Sequence, residues 1–303
     1  MLLTDLYTDL KPRFPSPTCG RGVRGEDRAA IKHPSPGPSG HPLPHAGEGT
    51  VEFFVLKLQS LRLLVGSSHT CGYLPQRSAR SAFVDPAFPL NDALYGALLD
   101  QGFRRSGNYA YRPMCQLCRS CRSVRIAAAE FRPDRSQRRC LRANAGLSLR
   151  VVTRLDEEHY ELYRRYLQAR HAGGGMDPED GEAFREFLGC NWGRTEFWEF
   201  RDGGELLGVS VVDRIPQGYS AVYTFFAPEL PARSLGTYAI LRQVEQARLQ
   251  GLPYVYLGYW VEDSEKMDYK KRFQPLEVLQ PSGWVRLGRI AAGDGFADNA
   301  ASE

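Results

Sequence analysis

The densest group of reactive side chains lies in the segment 102–144, where three cysteines stand at two-residue gaps: Cys115, Cys118 and Cys121. A Cys-x2-Cys step lets two thiolates bind one tetrahedral metal ion, and Cys71 would supply a fourth thiolate. Zinc or an iron–sulfur cluster suits such a ligand set. The alternative is that the thiols are simply packed, because a buried free cysteine behaves as a small hydrophobic residue. The spacing alone does not choose between the two.

Arginine is frequent on both sides of these cysteines. Arg104, Arg105 and Arg112 precede them and form a candidate fork that grips a carboxylate or a phosphate with paired N–H groups. Aromatic residues alternate with these arginines, Tyr111 among them, and nucleic-acid bases stack on such rings. A solvated basic face is the ordinary explanation of a run of arginines, but the interleaved aromatic rings favour a binding role.

Two segments of the second half carry further binding chemistry. The sequence RSLGTY at 233–238 follows a predicted strand and opens a predicted helix. A helix N-terminus presents unpaired backbone N–H groups to an anion, although a plain helix start has the same appearance. Lys270, Lys271 and Arg272 stand among aromatic residues just after a strand end, where open sheets often bind ligands. A solvated amphipathic helix would explain the lysines but not so many aromatic neighbours.

The composition is that of a soluble globular protein with an ample core. The 303 residues are 42% hydrophobic and 24% charged, and the net charge of +4 does not by itself demand a nucleic-acid partner. No apolar run approaches the roughly 18 residues of a membrane helix, so we expect no membrane partner. Seven cysteines in so long a chain do not make a disulfide framework, which favours the cytoplasm. Cys140 and Cys190 have no neighbouring partner in sequence and are expected in the core.

Changes in composition divide the chain into four parts. Residues 1–50 are rich in proline and glycine and are expected to be disordered, because they cannot bury enough apolar surface to offset their chain entropy. A Cys- and Arg-rich N-terminal domain is predicted at 51–145 and a second domain at 146–288. The remaining residues, 289–303, are predicted to form a flexible tail.

Hydrophobic periodicity predicts an α+β fold. The second domain runs from a helix through antiparallel strands and a glycine-containing loop to another helix and strand, which is typical of this class. The predicted helices cover 90–101, 157–170 and 235–249, and the predicted strands cover 124–131, 147–152, 206–214, 219–226 and 254–259.

Separate blocks along the chain, read together, carry a family resemblance. The blocks are CGYLP at 71–75, GFRRSG at 102–107, YRPMCQLCRSCRSVRI at 111–126, FRPDRSQRR at 131–139, YTFF at 223–226, RSLGTYAI at 233–240, and YLGYW with KMDYKKRFQP within 256–275. In this order they resemble the arginyl- and leucyl-tRNA–protein transferase family, and its bacterial leucyl-transferring branch in particular, over about residues 60–288. Ala227 departs from the pattern, because relatives usually have an acidic residue there. The resemblance therefore supplies no carboxylate base at that position.

The resemblance implies both a fold and an activity. The implied fold is like that of the GCN5-related acetyltransferases (GNAT), preceded by the Cys-rich domain. The implied activity moves leucine from Leu-tRNA to the N-terminal Asp or Glu of proteins and so creates a terminus for the N-degron degradation pathway. The implied partners are charged tRNA and proteins with acidic N-termini, and the transfer itself requires no cofactor. An aminoacyl ester is already activated and an α-amine has a pKa of about 7.7–8.0, so orientation can supply most of the acceleration. We assign no catalytic residue.

Charge and loop chemistry then assign residues to the two substrates. The acidic N-terminal residue of the acceptor is predicted to bind Arg104, Arg105, Tyr111 and Arg112. Aminoacyl-tRNA is predicted to bind Tyr223, Phe225, Arg233, Leu235, Gly236, Thr237, Tyr238, Lys270, Lys271 and Arg272. The predicted metal ligands are Cys71, Cys115, Cys118 and Cys121.

Three alternatives stay open at this point. The residues alone do not choose between leucine and arginine as the transferred group. An acetyl-CoA N-acetyltransferase would share the fold, but its glycine loop should end in Gly-x-Gly or Gly-x-Ala, whereas Tyr238 fills the last place. A non-catalytic, metal-stabilised RNA-binding module built on the Cys/Arg segment would leave the second half of the chain unexplained.

Overall fold

The computed structural model describes residues 61–170 and 177–288. The predicted disorder of 1–50 and the predicted tail at 289–303 lie outside these residues. The longest helix within them has 15 residues. None of the helices in these two ranges has the length and apolarity needed to cross a bilayer.

The described residues form fourteen strands, five α-helices and two 3-10 helices. The strands are β1 (Leu63–Val65), β2 (His69–Thr70), β3 (Ser78–Ala79), β4 (Ser81–Val84), β5 (Arg104–Ser106), β6 (Tyr109–Pro113), β7 (Cys121–Ala127), β8 (Ser148–Val152), β9 (Arg194–Asp202), β10 (Glu205–Ile215), β11 (Gly218–Phe226), β12 (Tyr254–Val261), β13 (Leu276–Gln280) and β14 (Gly283–Arg286). The α-helices are α1 (Asp92–Asp100), α2 (Arg135–Ala143), α3 (Glu157–Arg170), α4 (Gly181–Leu188) and α5 (Leu235–Leu249), and the 3-10 helices are Pro231–Arg233 and Glu265–Arg272.

An eight-stranded sheet forms the centre of the described structure, in the order β14-β13-β7-β12-β11-β10-β9-β8. A four-stranded sheet has the order β1-β4-β6-β5, and β2 pairs with β3 in a two-stranded sheet. Neighbouring strands in the large sheet run antiparallel except for the parallel pair β11 and β12. Helices beside a mostly antiparallel sheet make an α+β fold, as the periodicity predicted.

The parallel pair separates part of the way along its length. β11 and β12 are in register only from Gly218 to Ser220 of β11, although the strands continue to Phe226 and Val261. Each of the two strands also has a β-bulge in its pairing with its other neighbour. In the pairing of β10 with β11 the register shifts between Val211 and Val212, and in the pairing of β12 with β7 it shifts between Tyr256 and Gly258. Bulges bend the strands that carry them. A gap therefore opens between the two central strands of the sheet.

The Cys-rich segment enters the same large sheet. β7 begins at Cys121 and lies between β12 and β13, with Cys121 opposite Val261 and Ala127 opposite Tyr254. The strand predicted at 124–131 therefore starts three residues earlier and ends at Ala127. The predicted domain boundary at residue 145 stays a prediction. β7 precedes this boundary in the chain but belongs to the same sheet as β8 to β14, which follow it.

Local sequence explains which helices the periodicity found. α3 and α5 have the predicted bounds, because regular apolar spacing buries one face of each, including Leu235, Tyr238 and Val244 of α5. α2 was not predicted, since its many arginines leave no clear helical spacing of apolar residues in the sequence. Its start is instead fixed by a capping box, in which Asp134 accepts from the backbone N–H of Gln137 at 2.7 Å and the Gln137 side chain accepts from the Asp134 N–H at 2.8 Å.

The start of the parallel pair gives a test of the fold. A Cβ atom at Gly218 would lie 2.0 Å from the carbonyl oxygen of Tyr254. Gly218→Ala should therefore force β11 and β12 apart and lower the free energy of unfolding by about 3 kcal/mol, measured by urea denaturation. Gly204→Ala is the matched control, because a Cβ there meets no atom within 4 Å. Equal stability of the two variants would contradict the close approach at Gly218.

Candidate functional site

An arginine from β5 occupies the opening between β11 and β12. Arg104 is 7% exposed, and its Nη2 donates to the carbonyl oxygen of Ala221, the first β11 residue beyond the paired region. Its guanidinium lies against Gly258 of β12, where a Cβ would come within 3.3 Å of Nε and where φ is +77°. Both the space and the backbone conformation therefore require glycine at this position. The Nη1 group of Arg104 is buried and has no hydrogen-bond partner.

The side chain of the adjacent Arg105 forms its hydrogen bonds with groups of the protein itself. Its side chain is fully buried, and its Nε and Nη2 each donate to one carboxylate oxygen of Asp213 at 2.7 Å. The remaining N–H groups reach the carbonyl oxygens of Leu188 and Gly189 and the hydroxyl of Thr195. Burial opposes the charge of Arg105, but the Asp213 carboxylate outweighs it and raises the pKa of Arg105. We therefore assign Arg105 to joining β5, α4 and β10, and not to a substrate carboxylate.

A second buried cation lies beside Arg104. Lys270, in the 3-10 helix Glu265–Arg272, is 4% exposed, and its Nζ donates to the carbonyl oxygen of Tyr259. Burial, together with the nearby charge of Arg104, lowers the pKa of Lys270 to about 7. Lys270 therefore does not present its charge to solvent.

Three tyrosines, Tyr111, Tyr259 and Tyr269, lie near these two cations. Tyr259 donates from its hydroxyl to the carbonyl oxygen of Gly102 at 2.8 Å, and its ring centroid lies 6.4 Å from that of Tyr111. Burial raises the pKa of Tyr111, of Tyr259 and, to about 12, of Tyr269, while the positive charge of Arg104 opposes the rise in each case. Tyr111 is thus brought next to Arg104, and neutral phenol groups form the wall of this site.

Arg112 lies away from this group. Successive side chains of a strand point to opposite faces, so Arg112 leaves β6 on the side opposite to Tyr111. Its guanidinium carbon lies 5.0 Å from the ring centroid of Phe103, a cation–π contact. A cleft of about 320 Å³ is lined by Arg112, Pro113, Met114, Cys115, Cys118, Arg119 and Cys121.

The four cysteines predicted to bind a metal share one neighbourhood. Burial, followed by the nearby thiols of Cys71, Cys115 and Cys118, raises the pKa of Cys121 to about 12. Burial also opposes ionisation of Cys118, but hydrogen bonds, including one from Arg77 at 3.3 Å, lower its pKa. Within 61–170 and 177–288 no group of three or more His, Cys, Asp or Glu side chains is placed to hold a metal ion. The zinc or iron–sulfur cluster at these cysteines therefore stays a prediction.

The glycine turn lies at the other end of β11. α5 begins at Leu235 after Ser234, which has a left-handed backbone (φ 51°, ψ 46°) and gives no side-chain cap. The first N–H groups of such a helix have no partner within it. A Cβ at Gly236 would lie 3.2 Å from the ring of Phe226, the last residue of β11. This close contact packs the start of α5 against the end of β11.

The other residues predicted to bind aminoacyl-tRNA divide into three groups. The side chains of Phe225, Leu235 and Tyr238 are buried in the core, so only their backbone groups could meet a ligand. Tyr223 and Thr237 are half-buried, and burial raises the pKa of Tyr223. Arg233 pairs with Asp202 at 2.7 Å, Lys271 pairs with Asp268 at 2.9 Å, and Arg272 is exposed and donates to Ser136 at 2.8 Å.

β11 connects the two parts of the site. Arg104 contacts Ala221, and Gly236 packs against Phe226, five positions further along the strand. At about 3.3 Å per residue this separates the two contacts by about 17 Å. Tyr223 lies between them. A ligand at the glycine turn and a ligand at Arg104 would therefore approach each other along β11.

The predicted site residues did not include Asp213, Gly258 or Tyr259. Nothing near Asp213 in the sequence marks it as the partner of Arg105, which lies 108 positions earlier. Gly258 and Tyr259 stand in the YLGYW block, where a glycine inside a strand of aromatic residues signals a bulge or a close approach. That signal was available in the sequence.

Comparison with known proteins gives consistent matches. The family models described as arginine-tRNA-protein transferase, N terminus and C terminus, match residues 69–139 and 158–280. Aspartate/glutamate leucyltransferase of Teredinibacter turnerae is 46% identical over 233 residues, which cover 76% of this chain and 96% of that protein. The enzyme of the same name from Stenotrophomonas maltophilia (strain K279a) is 49% identical over 231 residues, 74% of this chain and 92% of that protein. Among solved structures, FemX is similar with a TM-score of 0.38 at 11% identity, over 69% of this chain and 82% of that chain.

The buried ion pair gives a test of this geometry. Asp213→Ala should leave the charge of Arg105 buried and unpaired and lower the free energy of unfolding by about 3–5 kcal/mol, measured by urea denaturation. The double variant Arg105→Met, Asp213→Leu removes both charges and should recover much of this loss. A double variant that is less stable than Asp213→Ala would contradict the assignment of Arg105 to a structural ion pair.

Proposed function

The chain belongs to the family of aspartate/glutamate leucyltransferases, and we propose that its two substrates meet along β11. As a member it is an aminoacyltransferase that adds leucine to N-terminal aspartate or glutamate. It is therefore an enzyme and not the non-catalytic RNA-binding module considered above. The proposal for the site depends on one observation: the unpartnered Nη1 of Arg104 and the glycine turn lie at opposite ends of the separated part of β11.

The separated parallel strands and the helix after β11 also support the proposed GNAT-like fold. In that fold the turn before the helix cradles the phosphates of the acyl donor. Here β11 and β12 part after Ser220, and α5 starts with uncapped N–H groups after Ser234. The end of a charged tRNA would occupy the place of the acyl donor.

The acceptor protein is proposed to bind at the Arg104 end. Its N-terminal residue carries one acidic side chain, and Arg104 offers a buried, unused N–H group beside the ring of Tyr111. A guanidinium binds a carboxylate with strong, directed hydrogen bonds. Arg112 faces the neighbouring cleft, where it would contact the following residues of the acceptor.

The donor, Leu-tRNA, is proposed to bind at the glycine turn. Backbone N–H groups of Leu235, Gly236 and Thr237 at the start of α5 suit a phosphate of its 3′ end. The half-buried Tyr223 offers a ring face to the terminal base or the leucyl side chain. Lys271 and Arg272 lie near the surface and suit phosphates of the acceptor stem.

The reaction requires orientation more than side-chain chemistry. The acceptor α-amine attacks the ester carbonyl, so one C–N bond forms, the C–O bond to the terminal ribose breaks, and the amine proton passes to the ribose oxygen. A useful fraction of the amine is neutral near pH 7, because its pKa is about 7.7–8.0. His69 and His159, the histidines among the described residues, contact Ser67 and the carboxylates of Asp156 and Glu199. We assign no base, and holding the two groups together supplies the acceleration.

The cellular setting follows from these substrates. A protein that consumes charged tRNA and modifies the N-termini of other proteins works where both are present, so we propose a cytoplasmic location. Leucine at a terminus would mark these proteins for the N-degron degradation pathway. The transfer as written needs no cofactor, and no step in it passes through a metal.

The first test is a transfer assay. Purified protein should move labelled leucine from Leu-tRNA to peptides that begin with Asp or Glu and not to peptides that begin with Ala. Arg-tRNA is the parallel donor, because the matching family models are described as arginine-tRNA-protein transferases. Labelling by Arg-tRNA alone would replace leucine with arginine in the proposal, and no labelling by either donor would refute it.

The second test concerns the tRNA contacts. Arg272→Met should weaken Leu-tRNA binding and reduce the slope of log K against log salt by about 1, measured by fluorescence anisotropy from 50 to 200 mM salt. Arg164→Met is the matched control, because Arg164 already pairs with Glu161 and Glu179 on α3 and its neighbouring loop. An unchanged slope for Arg272→Met would remove Arg272 from the tRNA interface.

A further inference from the structure

Arg104 and Lys270 form a pair of buried cations without a carboxylate partner among residues 61–170 and 177–288. Arg104 is 7% exposed and Lys270 is 4% exposed. Arg104 donates only to the carbonyl oxygen of Ala221, and Lys270 only to that of Tyr259. Burying one charge without a counter-ion is costly, and burying two together adds their mutual repulsion. The lowered pKa of Lys270 reflects this cost, and a compensating anion would remove it.

The backbone of β12 places the two cations side by side. The Arg104 guanidinium lies against Gly258, and the Lys270 ammonium is bonded to the carbonyl group of the next residue, Tyr259. Adjacent strand residues are about 3.3 Å apart. A bulge in the pairing of β12 lies just before Gly258, and the left-handed backbone of this glycine makes room for the guanidinium. The two positive groups are therefore neighbours at the opening between β11 and β12, close enough for the charge of Arg104 to lower the pKa of Lys270.

We propose that Arg104 and Lys270 together bind the side-chain carboxylate of the acceptor's N-terminal Asp or Glu, an inference that rests on the proposed function. The unpartnered Nη1 of Arg104 donates to one carboxylate oxygen. Lys270 has three N–H groups, of which Tyr259 takes one, and a second donates to the other oxygen. The bound anion neutralises part of the buried positive charge, which gives charge-assisted hydrogen bonds in place of repulsion.

The pair explains how the site selects acidic residues. An Asn or Gln side chain has nearly the same shape as Asp or Glu but no charge, and it would leave both cations uncompensated. A buried site that loses its bonding partner rejects the wrong ligand strongly. The flexible stem of Lys270 lets the ammonium follow the carboxylate, so one site accepts both Asp and the longer Glu.

A tRNA phosphate fits this space less well than a carboxylate. The wall consists of tyrosine rings: Tyr111 and Tyr259 are buried or half-buried, and Tyr269 is 45% exposed at the side facing solvent. Cations buried to this extent suit one small group on a short side chain better than a polymer backbone. A phosphate in a polymer suits cations near the surface, and Lys271 and Arg272 already lie there.

The test compares matched pairs of peptides. The wild-type protein should prefer Asp- over Asn-starting peptides, and Glu- over Gln-starting peptides, by about 100-fold or more in kcat/KM. Lys270→Met should reduce kcat/KM for the acidic peptides by about 100-fold while the rates for the amide peptides and the Kd of Leu-tRNA stay within twofold. Arg104→Met should have the same selective effect. Lys266→Met is the control, because Lys266 is exposed in the same 3-10 helix, and it should match the wild type.

Three results would overturn the inference. In the first, Lys270→Met keeps the preference for acidic peptides. In the second, kcat/KM falls equally for acidic and amide peptides although thermal denaturation shows that the variant is folded. In the third, Lys270→Met weakens the binding of Leu-tRNA. The last result would place a phosphate at the pair. In each of these cases the wild type still transfers leucine, whereas failure of the proposed function removes transfer by the wild type itself.

A structure of the wild-type protein with an Asp-starting peptide decides the matter if the variants do not fold. The side-chain carboxylate should lie within about 3 Å of both Nη1 of Arg104 and Nζ of Lys270. A carboxylate bound instead at Arg112, or in any place that leaves the pair without an anion, would overturn the inference.

Discussion

The buried ion pair between Arg105 and Asp213 is the interaction on which the site depends. It joins β5, from the four-stranded sheet, to β10 of the eight-stranded sheet, and its other hydrogen bonds hold the end of α4. Since successive side chains of a strand point to opposite faces, fixing Arg105 also fixes the direction in which Arg104 leaves the chain. The ion pair therefore keeps the neighbouring cation at the opening of the large sheet.

The separation of β11 from β12 is the second constraint. Three paired positions hold the strands together, and beyond them the backbone groups that a sheet would pair are free to meet other partners. The carbonyl group of Ala221 takes a hydrogen bond from Arg104, and that of Tyr259 takes one from Lys270. The same opening thus creates the place for the cations and leads along β11 to the start of α5.

This architecture suits a reaction that brings two substrates together and needs little help from side chains. One end of β11 offers positive charge in a space walled by tyrosines, and the other offers helix N–H groups beside Gly236. A neutral amine and an activated ester react once they are aligned, so most of the rate acceleration comes from position. The histidines of the described residues engage other parts of the protein, in agreement with this view.

The sequence by itself determined the elements whose pattern is local. α3 and α5 have the predicted bounds and β11 begins one residue before its predicted start, because periods of 3.6 and 2 residues can be read from short windows. The family blocks likewise include the segments of the proposed site. The hairpin of β5 and β6 was missed, since its arginines read as a solvated or binding run and not as buried strand residues.

Only the tertiary structure decided which cations are available. Arg104 and Arg105 are adjacent residues of the same type, and Lys270 and Lys271 are a second such pair. Asp213, which neutralises Arg105, lies 108 positions away, whereas Lys271 finds Asp268 within its own 3-10 helix. Burial and pairing depend on contacts between distant segments, and no window of the sequence contains them. The sequence therefore determined where the charged residues stand in the chain. The fold determined which of them are left unpaired and can bind a substrate.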